Sequence, residues 1–191
     1  MRRPVTLTIL FLLAVQAAFA EDEGKIAPDQ RYVLLATSKT GTMQKELDGA
    51  AAQGFRVLAG SPTSGAEMVL FLERVAQPPD TYAYRLLATT KTSTMEKELT
   101  EGAREGFRLV PQTAIAKEEA AGKLFGGPRE IVLVMERAPN NNKHFEYKLL
   151  ATSKTSTMQK EVSEAVASGF VLVGLLSRDE HMVVMEKQLQ E

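Results

Sequence analysis

The chain has 191 residues and no cysteine, with 23 basic side chains, 24 acidic ones and two histidines. The missing cysteine excludes disulfides, thiolate metal sites, a Cys nucleophile and a cysteine-linked lipid anchor together. Charges of both signs are interspersed, so the electrostatic footprint of a nucleic-acid binder is absent and no nucleic acid is expected as a partner.

Residues 1–20 read as a signal peptide. Arg2 and Arg3 give the basic start, Leu7 to Val15 is an apolar core, and Ala18-Phe19-Ala20 is the small-x-small pattern of a cleavage site after Ala20. Removing Arg2 and Arg3 leaves 21 basic against 24 acidic side chains, a net charge of −3 from Glu21 onward. No later stretch approaches the roughly 18 consecutive apolar residues of a membrane span. The expected compartment is therefore the periplasm or the outside of the cell, with residues 21–30 as an N-terminal tail.

Aligning Tyr32, Tyr84 and Tyr147 brings out a threefold internal repetition. The units are 31–77, 82–138 and 145–189, and each has the same parts in the same order. An apolar segment such as Tyr32 to Thr37 leads into a polar loop: Ser38-Lys39-Thr40, Thr90-Lys91-Thr92 or Ser153-Lys154-Thr155. A helical pattern follows, in which Met43, Leu47, Ala50 and Ala51 recur at i, i+4, i+7 and i+8, as do their counterparts after Met95 and Met158. Ser93-x-x-Glu96 and Ser156-x-x-Gln159 match the capping box and place the helix caps at Ser93 and Ser156, with Gly41 as the weaker cap of the first copy. Gly54, Gly106 and Gly169 stand where a left-handed helix end is wanted. Next comes Gly-Phe with apolar residues, and last a run ending in Glu and a base: Glu73-Arg74, Glu136-Arg137, Glu186-Lys187. The second unit carries a longer link, 111–128, whose residues 114–123 suggest an extra helical turn.

These parts spell βαββ, and the fold class is α+β with three tandem units. Met68 to Leu72 and Ile131 to Met135 are apolar on both faces, which suits a central strand. The expected strand order in each small mixed or antiparallel sheet is therefore 1-3-2. Doubly apolar strands also imply that the units bury one another. The expected arrangement packs sheet to sheet with helices outside, and the alternative is an open row that completes its burial by oligomerising. The first version fails if Leu35, Leu87 and Leu150 are all exposed.

Recognisable catalytic chemistry is scarce. Lys39-Thr40-Gly41 copies a serine β-lactamase motif, but it falls in a loop written three times in a chain too short for that fold. His144 and His181 lack partners at metal-ligand spacing, and no cofactor motif is present. The repeated polar loop is the one candidate site. Lys39, Thr40 and Thr42, with Lys91, Thr92 and Thr94 and with Lys154, Thr155 and Thr157, precede or open a helix, where free N–H groups favour an anion. The competing reading is that these hydroxyls cap the helix and shape the turn.

The order Tyr-x-Leu-Leu, helix, Gly-Phe-x-Leu-Val, apolar strand and Glu-Arg resembles a family of small bacterial domains of unknown function with a Tyr-x-Val … Gly-Trp-Glu-Leu-Val pattern. Phe55, Phe107 and Phe170 stand where that family usually has Trp. The resemblance implies the βαββ unit and transfers no catalytic residue. The expected function is a non-enzymatic binding or interaction protein of unknown process, its partner left open between a protein and a small anion. The alternative is an enzyme or receptor for a small anion at the loops.

Overall fold

The computed structural model describes residues 26–63, 65–75, 81–118, 129–178 and 180–190, so the leader expected at 1–20 lies outside the described residues. Residues 26–30 form a short piece of their own, in which the Gln30 amide donates to the Ala27 carbonyl at 3.0 Å. From Arg31 onward the chain builds an α+β body of three units. The first comprises β1 (Tyr32–Thr37), α1 (Thr40–Ala52), β2 (Phe55–Pro62) and β3 (Met68–Arg74). The second has β4 (Ala83–Thr89), α2 (Thr92–Arg104), β5 (Arg108–Leu109), β6 (Ile115–Lys117) and β7 (Glu130–Arg137). The third has β8 (Phe145–Thr152), α3 (Thr155–Ala167), β9 (Val171–Ser177) and β10 (His181–Gln188).

Each unit makes an antiparallel sheet with its closing strand in the middle: β1-β3-β2, β4-β7-β5 and β8-β10-β9. The central place follows from composition, since Ile131 to Met135 in β7 are wholly buried and only a middle strand can hide both of its faces. Leu87 is buried, and Leu35 and Leu150 are half-buried. After each helix, Gly54, Gly106 and Gly169 adopt φ of +87°, +83° and +88°, a region that costs any residue with a Cβ.

The closing Glu-base pair divides its work. Arg74 and Arg137 lie over the rings of Phe55 and Phe107, at 4.3 and 4.8 Å from the centroids, and Lys187 lies 5.6 Å from that of Phe170. Arg74 and Arg137 also donate to the carbonyls of Gln53 and Glu105 at the helix C-termini, where a cation is favoured. The base therefore fastens the Gly-Phe turn to its own sheet, and the Glu is left for another task.

Two expectations are corrected. The helices start earlier than the capping boxes indicate: Lys39, Lys91 and Lys154 are the N-cap residues, with extended backbone and no side-chain cap bond. Ser93 and Ser156 therefore fall inside the first turn. The reason lies one step upstream, where the hydroxyls of Thr37, Thr89 and Thr152 at the strand ends accept the Lys amides at 3.2, 3.1 and 3.2 Å. That local bond closes the turn before the serine is reached.

In the second unit, residues 115–117 are strand rather than helix, and both β5 and β6 pair with β7. They are one strand interrupted at Pro111, which cannot donate to a ladder. Wholly buried Thr113 patches the gap. Its Oγ1 accepts the Val134 amide at 3.0 Å and donates to the Val110 carbonyl at 2.7 Å. Residues 119–128 lie outside the described residues.

Successive units are joined by their helices. α1 packs on β4 as well as on β1 and β2, and α2 packs on β8 as well as on its own strands. The Gln44 amide of α1 occupies the free backbone edge of β4, donating to the Tyr84 carbonyl at 3.3 Å and accepting from the Leu86 amide at 2.7 Å. α3 packs on β8, β9 and β10 and has no comparable packing on β1.

Candidate functional site

The nine loop residues singled out in the sequence are spread over three helix starts. Lys39, Lys91 and Lys154 are exposed, as are Thr42 and Thr155, whereas Thr40, Thr92, Thr94 and Thr157 are half-buried. Among the described residues, none of these side chains forms a hydrogen bond or ion pair, and none joins one loop to another. What holds the first two loops is their backbone. The Ser38 carbonyl accepts from Lys117 Nζ at 3.4 Å, and the Thr90 carbonyl accepts from Arg178 Nη1 at 2.6 Å. Each tether is a cation of the next unit, anchored in turn to a carboxylate: Lys117 to Glu130 at 2.7 Å and Arg178 to Glu180 at 3.6 Å. The matching place in the first unit holds Thr63, whose hydroxyl donates to Glu67 at 2.9 Å.

The larger polar constellation was missed by sequence reasoning. Arg56 of β2 reaches Glu136 of β7 through Nε and Nη2, the shortest contact being 2.8 Å, and its guanidinium lies 4.8 Å over the Tyr82 ring. The Tyr84 hydroxyl donates to the same carboxylate at 3.0 Å and accepts the Val57 amide at 2.9 Å. One junction further on, the arrangement is repeated. Arg108 reaches Glu186 at 2.8 Å and lies 4.8 Å over Phe145, while Tyr147 donates to Glu186 at 2.8 Å and accepts the Leu109 amide at 2.8 Å.

Desolvation is the first cause that pushes both tyrosines well above the ordinary phenol range, and the adjacent carboxylate adds to it, so each hydroxyl keeps its proton. Hydrogen bonding to the carboxylate raises Arg56 and Arg108 above the ordinary guanidinium value. A four-part lock of Arg, Glu, Tyr and backbone amide thus fastens each unit to the next.

An open cleft of about 390 Å³ lies between the start of α1, β4 and α2, lined by Thr40, Gly41, Gln44, Arg85, Glu98 and Glu101 among others. Glu98 Oε2 is buried there without a hydrogen-bond partner. Burial first, and the charge of Glu101 second, raise the Glu98 carboxyl above its usual range. A carboxyl raised in the folded state costs stability once pH exceeds its unfolded pKa, and the cost is complete above the folded one. Glu98→Gln is accordingly expected to raise the melting temperature at pH 7 and to leave it nearly unchanged at pH 3, as followed by circular dichroism.

Among the described residues no group of three or more potential ligands is arranged to hold a metal ion, and no helix is long and apolar enough to cross a membrane. No protein-family model matches the chain, and no curated protein or solved structure matches it either.

The signal for the locks is visible in retrospect. Gly-Phe is followed by Arg in the first two units and by Val171 in the last, and Tyr and Glu hold fixed places in all three. An Arg present only where another unit follows is the mark of a junction.

Proposed function

We propose that this chain is a non-enzymatic interaction protein of the periplasm or the extracellular space, and that it works through the two ends of its row of units. The units stack in succession on this reading, each front receiving the back of the next. The observation that carries it is where polarity and apolarity have gone. The Arg, Glu and Tyr side chains of the two locks are used in joining neighbours, while large apolar side chains stay exposed at the ends, Leu34 and Phe71 in the first unit and Leu172 and Leu175 in the last. Exposed apolar clusters on a soluble protein mark surfaces that meet partners.

The test is a photo-crosslinking amino acid at position 34 or 172 in the cell that makes the protein, with exposed position 46 on α1 as control. Adducts from 34 and 172 but not from 46 are expected, and no adduct from either end would sink the reading. Export is checked by the N-terminal sequence of the extracytoplasmic protein, which should begin at Glu21.

The alternative, a small-anion site at the loops, has in its favour three exposed lysines at extended N-cap positions. Against it stand side chains that do not gather the loops, the first two of which are held by their backbone carbonyls. The triple variant Lys39→Ala, Lys91→Ala, Lys154→Ala and the parent are expected to show identical melting shifts in sulfate or phosphate. A shift present only in the parent would restore the anion site.

A further inference from the structure

The two ends are alike in kind to the surfaces that meet inside the chain. On the front of each unit, Ala51 and Ala103 are 4 % and 1 % exposed, and Val57 and Leu109 are 4 % and 3 % exposed. Their counterparts in the last unit are Val166 at 54 % and Leu172 at 52 %. On the back, Val134 and Val184 are wholly buried and Leu149 is 6 % exposed, whereas Phe71 and Leu34 of the first unit stand at 41 % and 57 %. Terminal units of a stacked array ordinarily carry polar outer faces to stay soluble. Here both outer faces are apolar, and several side chains are larger than their buried counterparts.

The polar parts of the two ends also match. Unpaired, Glu73 would be left as a carboxylate inside any further junction, at real cost. It is instead paired within its own unit, where Arg31 Nη2 donates at 2.8 Å. The unit that would face it has Val171 in the place of Arg56 and Arg108, so no second guanidinium competes. Gln159, the counterpart of Gln44, is exposed on α3, ready to meet the backbone edge of a first strand.

Size is exchanged in the same sense. At the first inner junction a Cβ on Gly60 would lie 3.0 Å from Ile115 of the next unit, a small residue facing a large one. At the ends the order is reversed, with Leu175 at the place of Gly60 and Ser61 at the place of Ile115.

We infer that the partner of each end is the opposite end of a second copy of this chain: the α3–β9 front of one molecule receives the β1–β3 back of another. The contact is heterologous, so it closes into a ring or continues as a filament. It rests on the interaction reading above.

The experiment compares the parent, expressed from its full sequence and purified, with Leu172→Asp on the front and Leu34→Asp on the back. Sedimentation over a wide concentration range gives the mass, and circular dichroism melts check that each variant is folded. The parent should grow beyond one chain as concentration rises. Each variant alone should remain a single chain, and an equimolar mixture should form a heterodimer and nothing larger, through its one intact pair of faces. A parent that stays a single chain, a mixture that does not pair, or variants that both still assemble would each overturn the inference. So would loss of assembly in one variant alone, which signals symmetric pairing of like ends. If the parent is monomeric but crosslinks at 34 and 172 persist to other proteins, only this inference fails. Absence of those crosslinks removes the interaction reading itself.

Discussion

Arg108→Ala is expected to lower unfolding stability at pH 7 by about 3 kcal/mol, the lower end of the cost of breaking a buried pair. Glu186 explains the size of the effect. Its side chain is 4 % exposed, so without Arg108 a carboxylate stays out of water with little beyond the Tyr147 hydroxyl to hold it. Arg108 itself is 56 % exposed, and its loss removes little buried surface. Most of the deficit should therefore vanish in Arg108→Ala/Glu186→Gln, which no longer buries a charge. Arg56→Ala should cost less, because Glu136 is 11 % exposed and water reaches it more easily. Urea titrations of the four proteins give the comparison. Equal stability of parent and Arg108→Ala would mean that the lock contributes nothing.

Lys117→Met should cost about 2 kcal/mol, somewhat less than breaking a fully buried pair, since Glu130 keeps 18 % of its exposure. The Lys117 side chain is 2 % exposed, and its ammonium is held by Glu130 and the Ser38 carbonyl of the preceding unit. Removing both charges in Lys117→Met/Glu130→Gln should recover most of the loss, because a methionine stem fills the same space without a charge to solvate. The single variant should also speed amide exchange around Ser38 in the first unit. Exchange changed only near residue 117 would show that the tether does not act across the junction.

The sequence made the units legible because their determinants are local. Met43, Leu47, Ala50 and Ala51 mark one helix face, Gly54 marks its end, and the unbroken apolar run Ile131 to Met135 fits only a central strand. The helix starts were less readable because two devices compete within a few residues: the Ser93 box and the Thr89 hydroxyl. The hydroxyl acts first along the chain. The break at Pro111 could be read as a loop, but its repair by Thr113 depends on where β7 places the Val134 amide.

The locks were the least legible part. Arg108 and Glu186 are far apart in sequence and meet only because α2 lies on β8, a relation between units that no single unit's pattern contains. The repeated Lys-Thr loops drew notice for their likeness, yet their contacts run through the carbonyls of Ser38 and Thr90, which sequence does not distinguish. The open cleft beside Glu98 was likewise invisible, since α1 of the first unit forms it with β4 and α2 of the second.

The Arg, Glu and Tyr of the two locks join each unit to the next, and amide exchange read residue by residue tests this most directly. The Val57 and Leu109 amides donate to tyrosine hydroxyls of the following unit. Both should exchange slowly in the parent. Tyr84→Phe should release Val57 and leave Leu109 slow, and Tyr147→Phe should do the reverse. Unchanged protection at both amides in both variants would contradict the junctions described here.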